Sequence, residues 1–122
     1  MPARAHLQIG QVAERTELSV KTIRHYDEVG LVRPSARSAG GFRLYTEDDI
    51  DRLLVIRRMK PLGFTLAEMG ELLSALDDLG NPAARELLAA LHAKAEDSVA
   101  KLRRQLGYAE EFTALLAERR AR

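Results

Sequence analysis

Along most of the chain, apolar side chains recur every three or four positions, the period of an amphipathic helix. After a start at Met1–His6 expected to be loosely held, Ile9, Val12 and Ala13 predict a first helix over about 9–16, although Gln8 is a poor cap for it. Thr16, Glu17 and Leu18 form a brief turn, and Ser19 is a capping residue for a second helix. Within that helix Val20 and Ile23 share an inner face, while Lys21, Thr22, Arg24 and His25 spread over the outer one until Gly30 offers an exit. Two short helices joined by so short a turn predict a helix-turn-helix. Its second member, with an apolar seam and a basic crown, suits the DNA major groove.

After Gly30 the period shortens. Leu31–Pro34 predicts a short edge strand, since proline cannot donate to a ladder, and Phe42-Arg43-Leu44-Tyr45 alternates like a returning strand. Between them Ser35–Gly41 is small and glycine-ended, with Arg37 at its centre. In isolation this is an ordinary hairpin; directly after a helix-turn-helix, its arginine marks a wing that makes a second DNA contact. Thr46 then caps a third helix whose first turn is acidic (Glu47, Asp48, Asp49), whose apolar face is Ile50, Leu53, Leu54 and Ile56, and whose end is basic (Arg57, Arg58, Lys60). Pro61–Phe64 stops it. Thr65 with Glu68 forms a capping box for a fourth helix, expected to bury Met69, Leu72, Leu73 and Leu76.

The last third has a different rhythm. Asn81-Pro82 is a cap followed by a first-turn proline, and no proline interrupts the chain from there to about Ala117. Leu88, Leu91, Ala95, Val99, Leu102, Leu106, Ala109, Phe112 and Leu116 step by three or four with a mean near 3.5, the coiled-coil period. Such a helix runs roughly 50 Å, and a lone chain offers no evident partner for so long a stripe. The stripe therefore predicts a dimer interface. The organisation expected is a DNA-binding domain over 1–80 and a dimerisation helix over 81–122.

Composition narrows the chemistry. Hydrophobic residues make up 46 % of the 122, enough for a core, and the net charge of +1 leaves any DNA contact to local clustering rather than overall basicity. The absence of cysteine excludes thiolate metal sites, iron–sulfur clusters and redox switching, and fits a reducing, cytoplasmic setting. Neither a signal-peptide core near the start nor a membrane-length apolar run is present. The three histidines stand in unrelated contexts with no nucleophile–base pairing or phosphate-cradling loop, which argues against an enzyme and against a cofactor or metal site; His92, between Leu91 and Ala93, reads as partly exposed filler.

Four segments occur together in order and spacing: Ile9-Gly10-Gln11-Val12-Ala13, the run Ser19–Leu31, Gly41-Phe42-Arg43-Leu44-Tyr45, and Leu62-Gly63-Phe64-Thr65-Leu66. On these the chain resembles the MerR family of transcriptional regulators over residues 8–76. The resemblance implies a mainly α fold: a winged helix-turn-helix DNA-binding domain, a second helical pair, and a long C-terminal helix that dimerises as an antiparallel coiled coil. It implies a homodimer that binds a pseudo-palindromic element in double-stranded promoter DNA and distorts it, acting on RNA polymerase indirectly. Carried over by position, Ser19, Lys21, Thr22, Arg24, His25 and Tyr26 fall on the reading helix, Arg37, Arg43 and Tyr45 in the wing, and Lys60 and Thr65 in a second wing that grips phosphate. His25 is a departure, because the family often has an aromatic there. Metal sensors of the family place cysteines after the long helix, and this chain has none; its end near Arg122 predicts a short form without a separate effector domain. A DNA-bending protein that directs recombination could use the same front half and is the alternative reading.

Overall fold

A computed structural model of the protein describes residues 6–122; apart from His6, the loose start expected at Met1–His6 lies outside them. Two compact units are present, one ending at Asp77 and one beginning at Asp78. The first contains β1 (Leu7–Gln8), α1 (Ile9–Thr16), α2 (Val20–Glu28), β2 (Ala36–Arg37), β3 (Arg43–Tyr45), α3 (Glu47–Met59), a 3-10 turn over Lys60–Leu62, and α4 (Leu66–Leu76). The second is dominated by α5 (Pro82–Arg120).

The turn between α1 and α2 is held from inside. Thr16 is fully buried; its hydroxyl donates to the Val12 carbonyl at 2.8 Å and accepts from the Leu18 amide, while Arg57 on α3 donates to the Thr16 carbonyl at 2.8 Å. These bonds fix Glu17 at φ 58°, the left-handed region where a side chain costs about 1–2 kcal/mol. Ser19 caps α2, its Oγ accepting from the Thr22 amide at 3.0 Å. α1 starts without a conventional cap: Gln8 is fixed by pairing with Leu44, and the Gln11 side chain accepts its amide at 2.9 Å.

The wing differs from expectation. Leu31–Pro34 is not a strand, because the Leu31 and Val32 amides both turn back to the Tyr26 carbonyl, at 2.8 and 3.2 Å, and close off the end of α2. The strand that pairs with β3 comes later, at Ala36–Arg37, and β1, which the alternation did not predict, completes a three-stranded antiparallel sheet in the order β1-β3-β2. The wing root is tied to α3 through Asp49, a buried carboxylate accepting from the Ser35 hydroxyl at 2.6 Å, the Ser35 amide at 3.1 Å and the Thr46 amide at 2.9 Å. Three such bonds compensate the burial of its charge.

Val12, Ile23, Val32, Tyr45, Ile50, Leu53 and Ile56 are fully enclosed and form the core, with Met69 and Leu73 contributed by α4. Thr65 and Glu68 form the predicted capping box, the Thr65 Oγ accepting from the Glu68 amide at 3.1 Å and the Glu68 carboxylate from the Thr65 amide at 2.9 Å. Leu76, expected on the buried face, is instead 40 % exposed, and Ala75 is buried in its place. At the end of the helix the buried stripe has rotated by one position.

In the second unit Asn81 caps α5, its side chain accepting from the Ala83 amide at 3.0 Å, and Pro82 takes the first turn. At 39 residues the helix is roughly 58 Å long. Among the described residues, no helix is long and apolar enough to cross a membrane.

Candidate nucleic-acid interface

Lys21 and His25 stand exposed on the face of α2 opposite Ile23 and Arg24 on its flank, and neither Lys21 nor Arg24 forms an ion pair among the described residues. The Ser19 hydroxyl, besides capping, donates to the Thr22 Oγ at 2.8 Å, so both small side chains organise the first turn from which Lys21 and Arg24 project. Lys60 is exposed and unpaired among the described residues, and Thr65, also exposed, spends its oxygen on the α4 cap.

Tyr26 and Tyr45 lie elsewhere. Both were expected on the DNA-facing surface; Tyr26 is 4 % exposed and Tyr45 fully buried, so their rings pack into the core. Burial pushes both phenols up from the ordinary tyrosine pKa, for Tyr45 with help from Asp27. Among the described residues the Tyr45 hydroxyl has no hydrogen-bond partner.

The residue that organises this face was not singled out in the sequence. Asp27, near the end of α2, accepts from Arg43 Nε at 2.7 Å and from Arg37 Nη2 at 3.0 Å through the same oxygen. Its side chain is 10 % exposed, so the two arginines are held beside a largely desolvated carboxylate that also raises the Arg43 pKa. The wing is thereby locked to the reading helix. Arg37 also donates to the Gly41 carbonyl across the wing tip, which Gly41 turns at φ 82°. Between wing and helices lies a groove of about 300 Å³ whose wall carries Gln8, Gly10, Arg24, Phe42 and Arg43. Phe42 is the most exposed large apolar side chain of the first unit. Its place in the Gly41–Tyr45 motif was visible; its exposure was not, because a strand of alternating residues does not say which face is covered.

Unpaired cations on a rigid helix, flanked by a locked basic hairpin, form a surface for a polyanionic duplex: side chains on α2 for base edges, arginines of the wing for phosphate. Residues 7–76 match the MerR HTH family regulatory proteins, and residues 50–117 match the MerR DNA-binding family. The chain belongs to the MerR family of transcriptional regulators. An uncharacterised HTH-type transcriptional regulator of Pseudomonas aeruginosa is 42 % identical over 89 residues, 72 % of this chain and 67 % of that protein. The regulator CueR of Salmonella typhi is also 42 % identical, over 72 residues, 59 % of this chain and 52 % of CueR; the chain thus spans about half of that relative. Among solved structures, HiNmlR, a MerR family regulator lacking the sensor domain and bound to promoter DNA, superposes with a TM-score of 0.74 over 96 % of this chain and 94 % of its own, at 23 % identity, which shows a shared fold. The front half of this MerR-family chain is therefore a DNA-binding unit of a transcription regulator, and the recombination-directing alternative is not favoured.

Proposed function

We propose that this MerR-family chain acts as a homodimer on a pseudo-palindromic promoter element, with α2 of each copy in the major groove and the wing on the flanking backbone. Lys21 and Arg24 read base edges; Arg37, Arg43 and Lys60 hold phosphate. The stripe on α5 from Leu88 to Leu116 is the seam of an antiparallel coiled coil that sets the spacing of the two reading helices. By distorting the element the dimer changes its fit to RNA polymerase and so controls transcription indirectly.

The observation that carries this reading is the Asp27 clamp. It holds Arg37 and Arg43 in register with the exposed face of α2, so one rigid body presents a base-reading and a phosphate-holding surface together. Dimerisation is supported by exposure: on a single chain, Val99, Leu102, Leu106, Phe112 and Leu116 all stand in solvent. Ala109 continues the same exposed stripe, whereas Leu91, expected in the seam, is already buried on the single chain at 8 % exposure and Leu88 and Ala95 are half-buried, so the exposed part of the seam begins at Val99.

Selection of bound duplexes from a random DNA pool tests the proposal. An inverted repeat with two equivalent half-sites is the expected product. Recovery of a single unrepeated site, or of no consensus at all, would refute it.

A further inference from the structure

Of the basic side chains exposed on α2, His25 alone has no role assigned. It follows Lys21 by four positions, so the two share one side of the helix a single turn apart. It also stands in the last turn of α2, where the helix dipole favours a cation. Its ring lies 6.1 Å, centroid to centroid, from that of Tyr26. Among the described residues it takes part in no hydrogen bond or ion pair, so both ring nitrogens are open to a partner from outside the chain.

The charged groups nearby are mostly committed elsewhere. On α2 itself Lys21 and Arg24 are cations and Glu28, three positions on, is an exposed carboxylate, while Asp27 is held by Arg37 and Arg43 of the wing. α1, packed against α2, carries Glu14 and Arg15, and Arg15 is paired with Glu47. Past the end of α2, Arg33 folds back over Gly30. None of these carboxylates pairs with His25, so a charge on the imidazole finds its counterion outside the chain.

A reading helix meets base edges with its N-terminal residues, and its later turns leave the groove toward the backbone. His25 lies four residues, about 6 Å, along the axis from Lys21, and its side chain is short. A phosphate at the edge of the groove is the DNA group at its level. Imidazole is the side chain that changes charge between pH 5 and 8. Protonated, it offers a phosphate both a charge and an N–H donor; neutral, it offers only the donor.

We infer that DNA binding by this chain is coupled to uptake of a proton at His25, which meets a backbone phosphate in its charged form and so makes operator occupancy sensitive to pH. This rests on α2 as the reading helix, as proposed above. The complex then holds more protons than its free components, so affinity is highest in mild acid and falls as pH rises through the histidine range.

Fluorescence anisotropy at constant ionic strength, on the selected inverted repeat and on a random duplex, tests this between pH 6 and pH 8. Wild type is compared with His25→Gln and His25→Lys, and with His6→Gln and His92→Gln, which change the other two histidines. Wild-type affinity should fall about tenfold across this range on both duplexes. His25→Gln should give a flat profile near the wild-type value at pH 8, and His25→Lys, a fixed cation, a flat profile near the value at pH 6. The His6 and His92 variants should follow wild type. Calorimetry at pH 7 in two buffers of different ionisation heat should show proton uptake on binding that His25→Gln abolishes. A flat wild-type profile, or a slope that survives in His25→Gln, overturns the inference and leaves the reading helix standing. A slope confined to the selected repeat also overturns it, since a base and not a phosphate would then face His25. Selection that yields no consensus at any pH overturns the role of α2 and the proton coupling together.

Discussion

The buried hydroxyl of Tyr45 is the sharpest single-residue feature of the front unit. It lies fully enclosed with no hydrogen-bond partner among the described residues, in a setting where an unsatisfied polar group costs about 1–3 kcal/mol. Tyr45→Phe removes that cost while keeping the ring. Denaturant unfolding should show stability unchanged or raised by up to about 1 kcal/mol, with DNA affinity unaltered. A fall in DNA affinity at constant stability would mean that the phenol reaches DNA after all. The same residue shows where sequence reasoning ends. The motif Gly41–Tyr45 was plain, yet a tyrosine has an apolar ring and a polar tip and suits either side of a strand. Tertiary packing decides which side of β3 is covered, and it encloses the Tyr45 side completely. Asp27 escaped notice for a related reason. It sits among the polar residues of α2, and nothing in the local pattern says that the wing, ten and sixteen positions away, folds back onto it.

At the scale of elements, caps were legible and tertiary partners were not. Ser19, Thr46, Thr65 and Asn81 each act as the N-cap expected of them, because capping is settled within three residues of chain. The first wing strand was misplaced because the pull of the Tyr26 carbonyl on two later amides has no local signature. Two couplings between elements carry predictions. Asp27→Asn keeps the shape of the clamp but removes the charge that holds Arg37 and Arg43. Its cost should be about 1–2 kcal/mol, between the exposed and buried limits for ion pairs. Fluorescence anisotropy should show discrimination between the selected consensus and random DNA shrinking, while affinity for random DNA holds or rises as Arg37 and Arg43 lose the negative charge that neutralises them. Equal losses on both would contradict the clamp. The second coupling is Arg15 with Glu47, a two-point pair joining α1 to the start of α3. The hydrogen bond from Arg15 holds the Glu47 carboxyl below its ordinary pKa. A depressed carboxylate stabilises the fold above its unfolded pKa, and that contribution is lost as pH falls through the folded value. Glu47→Gln should therefore melt slightly below wild type at neutral pH, and the difference should vanish in acid below the usual carboxylate range. A difference that persists there would assign the effect to packing.

For the whole molecule, the decisive feature is a helix of 39 residues whose apolar stripe stands in solvent over its C-terminal half. Its length and period were legible because no tertiary contact is needed to read them. One reading helix contacts too little DNA to select a site against a genome of competitors, and two at a fixed separation gain the avidity that one lacks. The most direct test is Leu102→Asp, which places two unpaired carboxylates in the middle of the proposed seam, a costly burial. Its binding to the selected inverted repeat and to an isolated half-site should be measured alongside its mass in solution. The expected result is a monomer with an intact front unit, affinity for the full repeat lowered by about 100-fold or more, and half-site binding close to that of wild type. A Leu102→Asp chain that remains dimeric and binds the repeat as wild type does would contradict it.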